Sequence, residues 1–319
     1  MKRREFIAGV GGAAAWPVVA RAQTWPTQLV RIICPIAAGG GIDATSRIVA
    51  AQLSQIWGQQ VIVENKTGGG GNIAAEFVAH SDPDGYTIYI APFAHATNRY
   101  LYQSLNYDPV ADFAPVTLIC LYPLVMVVPN TSPAHSVKEF IDYAKVNTLS
   151  YASAGHGSSL HLAGELFKRQ AGIDMTHVPY RGAGPAFNDL IPGRIDALFN
   201  FVLTSLPLVR QGQLRALAVL TNKRLSVAPD LPTMQEAGVA GAEVSAWSAF
   251  FVPAKTPQRV VSKIHGDTVA ALSVPTVKDK LEQGGAVVIG STPDELASFL
   301  SSEMDKWGRV IKEANIRAE

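Results

Sequence analysis

Val116-Thr-Leu-Ile-Cys-Leu-Tyr-Pro-Leu-Val-Met-Val-Val-Pro129 is one long apolar stretch, interrupted by Pro123. Val244-Ser-Ala-Trp-Ser-Ala-Phe-Phe-Val-Pro253 has the same character further along the chain, and neither is flanked by flexible linker sequence. Apolar runs bounded by turn residues read as buried strands. What lies around them decides what they connect. Upstream, residues 29–34 read as a strand ending at Pro35, followed by Gly39, Gly40 and Gly41. Asp43 is then a candidate N-cap for a helix to Trp57, with Ile48, Val49, Ala51, Leu53 and Ile56 as its apolar positions. Strand 61–63, a glycine loop 68–71, helix 72–80, the turn Asp82-Pro-Asp-Gly85 and strand 87–90 follow. That alternation predicts a parallel sheet with helices on its faces.

A second series has the same form: helix 138–146, strand 149–152, the loop Ser153-Ala-Gly-His-Gly-Ser158, helix 159–170, strand 177–180, helix 184–190, and strands 195–199 and 213–220. Helices 258–272, 277–283 and from 293 onward close the chain. Leaving one α/β unit through 116–129 and returning through 244–253 makes a two-strand hinge. The expected fold is therefore α/β with two lobes, each a mostly parallel sheet flanked by helices. One lobe is 23–121 with 251–319, the other 122–249. A ligand would sit between them, facing the carboxyl ends of the strands.

The first residues bear on location. Lys2, Arg3 and Arg4 precede an Ala/Gly-rich apolar segment at 7–19, and Ala20-Arg-Ala22 offers small residues to a signal peptidase. Arg3-Arg-Glu-Phe-Ile7 resembles a twin-arginine export signal. An anchor helix is the alternative. The run falls short of the roughly 20 residues that span a bilayer and contains Gly9, Gly11, Gly12 and Pro17. The expectation is export to the periplasm with cleavage after Ala22. Removing residues 1–22, which carry net +3, takes the formal charge from +1 to −2. Near-neutrality leaves no electrostatic footprint for nucleic acid or an anionic membrane. With 48% apolar residues the chain can build cores without disulfide staples. Cys34 and Cys120, both in strand-like runs, read as buried thiols, although an oxidising compartment permits a bridge.

The loops after the strands carry the chemistry. The glycines at 39–41, at 68–71 and in Gly155-His-Gly157-Ser158 are small and backbone-rich, and two of these loops run into helix N-termini. Backbone N–H groups at a positive helix end can hold an anion without any charged side chain. Plain turn chemistry is the bland reading of each loop; their recurrence in both lobes favours binding.

Several motifs are specific. Pro35-Ile-Ala-Ala-Gly-Gly-Gly-Ile-Asp43, Gly68-Gly-Gly-Gly-Asn72-Ile, Asp84-Gly-Tyr-Thr87, Ser153-Ala-Gly-His-Gly-Ser-Ser-Leu-His-Leu-Ala163, Val178-Pro-Tyr-Arg-Gly-Ala-Gly-Pro185 and Thr292-Pro-Asp-Glu295 before Trp307 occur in order along the chain. Together they resemble the Bug-type substrate-binding proteins of tripartite tricarboxylate transporters. The resemblance implies a type II periplasmic-binding-protein fold, a small carboxylated ligand held by backbone amides, hydroxyls and waters, membrane transporter subunits as partners, no cofactor, and a monomer. Carried over by position, it implies ligand contacts at Ala38, Gly40, Asp43, Ala94, His95, Gly157, Ser158, Ser159, Tyr180 and Asn200. Two positions depart from the family pattern. Ile36 stands where an aromatic often follows the proline, and Asn65-Lys66-Thr67 replaces an Asn-Arg-Pro.

Other readings stay open at this stage. Asp43 is as well explained by capping as by ligand contact. Arg181 could clamp a carboxylate or sit in a rim ion pair. Trp247 suits the hinge core better than a cleft wall. His156 and His161 are five apart, which is not one face of a helix, and no carboxylate or cysteine cluster accompanies them, so no metal site is expected. No Gly-x-Ser-x-Gly elbow or Gly-Lys-Ser/Thr phosphate loop is present, which argues against an esterase or a nucleotide hydrolase. The rival is an exported dinucleotide-dependent oxidoreductase, since Gly39-Gly-Gly-Ile-Asp-Ala44 with Glu64 fits a dinucleotide fingerprint on paper. A ligand-sensing receptor feeding a signalling partner would share the binding fold.

Overall fold

The computed structural model describes residues 25–318; the export signal and cleavage site expected at residues 1–22 lie outside them. The chain runs β1 (Val30–Cys34), α1 (Gly41–Trp57), β2 (Val61–Asn65), α2 (Asn72–Ala79), β3 (Thr87–Pro92), α3 (Ala94–Leu101), β4 (Phe113–Pro129), α4 (Val137–Ala144), β5 (Ser150–Ser153), α5 (Ser159–Ala171), β6 (Thr176–Pro179) and α6 (Ala183–Leu190). It continues β7 (Ala197–Phe201), α7 (Val202–Arg210), β8 (Leu214–Val219), β9 (Ser245–Pro253), α8 (Gln258–Ser273), α9 (Pro275–Gln283), β10 (Val287–Val288) and α10 (Pro293–Glu313).

The long apolar run is a single strand, β4, that serves two sets of partners. Its first part, Phe113 to Pro123, pairs with β9; its second, Leu124 to Val127, pairs with β7, and Val125 to Pro129 with β8. Seventeen residues are too many for one ordinary strand partner, and Pro123, which has no N–H to donate, falls where the partners change. The strand order is β2-β1-β3-β9-β4-β7-β5-β6.

Strand directions orient the two halves. β1, β2 and β3 are parallel, β9 runs against β3, and β4 runs against β9, so β4 points the same way as β3. β7 runs against β4, and β5 and β6 are parallel to β7. The carboxyl ends of the two parallel triplets therefore face each other. Pro92 at the end of β3 is level with Ser248 and, through it, Cys120, whereas Phe201 at the end of β7 is level with Leu124. Four residues of β4 separate the two levels, roughly 13 Å at the rise of a strand.

Each half is less uniformly parallel than expected, because β4, β8, β9 and β10 are all antiparallel to their neighbours. Helices α3 and α7 were not anticipated either. One is only eight residues long and largely polar (AHATNRYL) and the other carries Pro207.

One apolar core runs through both halves. It joins Tyr89, Ala91 and Phe93 near β3 to Met126, Tyr151 and Phe199 beyond the crossing, by way of Trp247 and the inner face of α10. A Thr292–Glu295 capping box starts α10, which then buries Leu296, Leu300, Met304, Trp307, Val310 and Ile311 at helical spacing. Trp247 is a core residue: its indole N–H donates to Glu303 Oε2 at 3.3 Å, and Trp307 donates to the same oxygen at 2.9 Å. Arg169 of α5 meets Glu313 at 2.7 Å, so α10 touches both halves. Cys34 and Cys120 are free thiols in the second core, between the sheet and α1, α8 and α9.

Candidate ligand-binding cleft

Two helices begin at the facing strand ends. Following β1, the loop from Pro35 to Gly40 turns the chain into α1. Gly40 is the N-cap and offers no side chain to cap the first N–H groups of the helix. Asp43 is not the N-cap; it is the third helical residue, almost completely buried, and its carboxylate turns back into the loop. Oδ2 accepts from Gly39 N–H at 2.9 Å and Arg47 Nε at 3.0 Å, and Oδ1 accepts from Arg47 at 2.9 Å and Asn65 Nδ2 at 2.7 Å. The Arg47 guanidinium above all, with the Asn65 and Gly39 donors, holds this carboxyl at about 2. Asn65 Nδ2 also donates to Ile36 carbonyl at 2.7 Å and ties the loop to β2. With both oxygens engaged, Asp43 builds the loop instead of presenting charge to a ligand. Its negative charge is matched by Arg47, and the amides at the start of α1 remain the donors. Ala38 stands exposed at the loop's crest.

The second glycine loop packs behind the first. Gly68, Gly69, Gly70 and Gly71 all have positive φ, which side-chain-bearing residues rarely adopt. Asn98 donates to Gly70 carbonyl (3.1 Å) and Asn72 Oδ1 (2.6 Å), and Tyr107 hydroxyl donates to the same Asn72 oxygen at 2.7 Å. After β3, Ala94 opens α3 half-exposed.

His95 does not join the cleft. It is 1% exposed, its ring enclosed by Tyr89, Tyr107, Phe113 and Phe251, and Nε2–H donates to Pro109 carbonyl at 2.9 Å. Burial pushes its pKa down to about 4. The first turn of α3 aims this side chain into the core, away from the ligand contact expected of it.

From the other half, the loop after β5 carries Gly155, His156 and Gly157 into α5. Ser158 is the N-cap: its hydroxyl donates to Gly155 carbonyl at 2.7 Å and accepts from His161 N–H at 3.2 Å. Ser159, the first helical residue, is half-buried, and its hydroxyl has no partner among the described residues. Gly157 has φ of 70°, and a Cβ there would lie 2.8 Å from Leu101 Cδ1 of α3. That near-contact brings the second half's loop against the first half. Tyr180 is half-buried and spends its hydroxyl on Asp189 Oδ2 at 2.7 Å; burial, with the Asp189 charge, pushes it up to about 12. Asn200, at the end of β7, is fully buried. Its Nδ2 donates to Thr204 Oγ1 and Ser205 Oγ, while Oδ1 is enclosed without a partner. Arg181 is exposed on the rim.

Three groups went unread in the sequence. Asp43-x-x-x-Arg47 is an i,i+4 pair that helical spacing could have shown. Asn65 was noted only as a departure. Tyr122 had no signal: its hydroxyl lies 2.8 Å from Thr45 Oγ1 in α1 and 3.1 Å from Ser248 Oγ in β9, linking the first-loop helix to both crossing strands.

Two halves joined by crossing strands, with glycine loops and helix N-termini facing each other, define a solute-binding receptor fold. The profile of the tripartite tricarboxylate transporter family receptor matches residues 45–316, and the chain belongs to that family. Protein BugT of Bordetella pertussis is 32% identical over 318 residues, 98% of this chain and 96% of BugT. Among solved structures, R. palustris Rpa4515 with adipate is 38% identical with a TM-score of 0.79, over 92% of this chain and 99% of that one. MatC (Rpa3494) from Rhodopseudomonas palustris with bound malate is 32% identical with a TM-score of 0.75, over 90% and 100%.

Proposed function

We propose that this protein is an exported periplasmic receptor that closes on a small carboxylate between lobes 23–121 with 251–319 and 122–249, and presents it to the membrane subunits of a tripartite tricarboxylate-type transporter. The observation that carries the reading is the pair of helix N-termini, α1 and α5, at facing strand ends. The one acid in the first turn of α1 is neutralised internally by Arg47, so an incoming carboxylate meets amide and hydroxyl donors without a competing negative charge there. Relatives solved with adipate and malate support dicarboxylates as the ligand class. Ala38, Gly40, Ala94, Gly157, Ser158, Ser159 and Asn200 remain the proposed contacts, with Tyr180 as a wall positioned by Asp189. The protein performs no chemistry of its own, needs no cofactor and acts as a monomer.

The dinucleotide fingerprint loses ground on geometry. Six residues separate the end of β1 from the start of α1 where the fingerprint needs a tight turn, and Glu64 is already paired with Lys66 at 2.7 Å and Arg31 at 3.9 Å. Calorimetry on the mature chain tests the ranking. Adipate or malate should bind one to one, and NAD and NADP should give no heat; the reverse pattern overturns the proposal. Export is tested separately: Arg3→Lys with Arg4→Lys should leave unprocessed precursor in the cytoplasm, and undiminished mature protein would refute the twin-arginine route.

A further inference from the structure

Sequence spacing gave His156 and His161 no third partner, but the fold supplies one. β6 lies parallel to β5, with His177 in register with Tyr151 and Val178 with Ala152. This places His177 beneath the loop after β5, beside the first turn of α5. The His161 and His177 rings stack at 3.8 Å and 11°, and His156 stands edge-on to both at 5.4 and 5.0 Å. One ring nitrogen from each of the three lies within 4.8 Å of the others.

We propose that His156, His161 and His177 form a binding site for a divalent transition-metal ion of the zinc class in the wall of the second half. The donor set is three imidazoles, which suits zinc, nickel, cobalt or copper and not magnesium or calcium. Tetrahedral coordination at about 2.0–2.1 Å puts ligand nitrogens roughly 3.3 Å apart, so the nitrogens must close by up to about 1.5 Å, and the stacked His161 and His177 rings must turn until their in-plane lone pairs converge. His156 is exposed and sits in a glycine-flanked loop that permits this, while His161 is buried and His177 half-buried, shielding the ion on the protein side.

Loading bears on two hydrogen bonds: His177 Nε2 pairs with Ser153 Oγ at 2.6 Å and must either give up that partner or ligate through Nδ1. His161 Nδ1 accepts from Gly157 N–H at 3.0 Å. To ligate, His161 either gives Nδ1 to the ion or moves its proton there and gives Nε2. In both cases the Gly157 amide loses this acceptor, so the β5–α5 loop must shift as the ion enters.

The test uses untagged mature protein and zinc chloride alone, followed by calorimetry. We expect one ion per chain. His156→Ala and His177→Gln should each weaken binding by at least about tenfold, with folding checked by circular dichroism. His135→Ala, at an exposed histidine elsewhere, should leave it unchanged. Cobalt(II) should give the visible bands of a tetrahedral site, lost in His156→Ala. Absence of stoichiometric binding, or binding that survives both cluster variants, overturns the proposal. Carboxylate binding by chelator-treated protein is measured in parallel, so failure of the metal site and failure of the receptor reading are separable.

Discussion

His95→Phe separates a core histidine from a ligand contact. The folded chain holds this imidazole neutral, with a pKa of about 4 against 6.5 when solvated. As pH falls below 6.5, the unfolded chain takes up a proton that the folded chain refuses. The stability contributed by this group is therefore fully present above 6.5, falls progressively, and levels off below about 4. Between pH 7 and pH 5 the linkage amounts to about 2 kcal/mol, at about 1.4 kcal/mol per pH unit per proton. Phenylalanine fills nearly the same space among Tyr89, Phe113 and Phe251 and has nothing to protonate. It leaves Pro109 carbonyl without its donor, a loss of about 1–3 kcal/mol that is the same at both pH values. Urea denaturation at pH 7 and pH 5 should thus show the variant losing about 2 kcal/mol less on acidification than the parent. The histidine cluster contributes equally to both proteins. Adipate or malate affinity, by calorimetry at pH 7, should be unchanged. Equal acid sensitivity of the two proteins, or loss of ligand binding in a folded variant, would refute the placement of His95 in the core.

The remaining predictions concern the loops. Ser159→Ala should weaken carboxylate binding by about tenfold or more, as one hydrogen bond to a charged group is worth about 1.5–3 kcal/mol; an unchanged affinity in calorimetry removes this hydroxyl from the site. Ser158→Ala should instead lower stability by about 1 kcal/mol through the lost cap, read as a fall in urea midpoint with unaltered slope. Gly157→Val should reduce ligand affinity more than either, because its side chain meets Leu101 and its backbone has positive φ; a variant that binds normally would mean that the loops need not approach so closely. Asp43→Asn should destabilise the chain at pH 7 but flatten its loss of stability below pH 4, since the parent carboxylate titrates in the folded state at about 2; parallel acid-unfolding curves would contradict the Asp43–Arg47 assignment.

Local order along the chain was legible from residue type. The strands near 30, 61, 87 and 245 and the helices that follow 41, 159 and 258 announce themselves through apolar period, glycine and proline, because those signals act within one turn or one pleat. Helix α10 was legible from Thr292-Pro-Asp-Glu295 for the same reason. The glycine loops and their sequence motifs also pointed to an anion held by backbone between two units. What lay beyond the sequence was every relation that depends on pairing across distance. Residue spacing could not say that β4 changes partners at Pro123, that Asp43 turns back to Asn65, that Tyr122 ties α1 to β9, or that His95 faces inward. Nor could it say that His177 would join His156 and His161, since sixteen residues of chain and a strand register decide that meeting. Side-chain neighbours of that kind are set by sheet order and the direction of burial, which only the folded chain fixes, and they decide which polar groups are spent on the scaffold and which are left for a ligand.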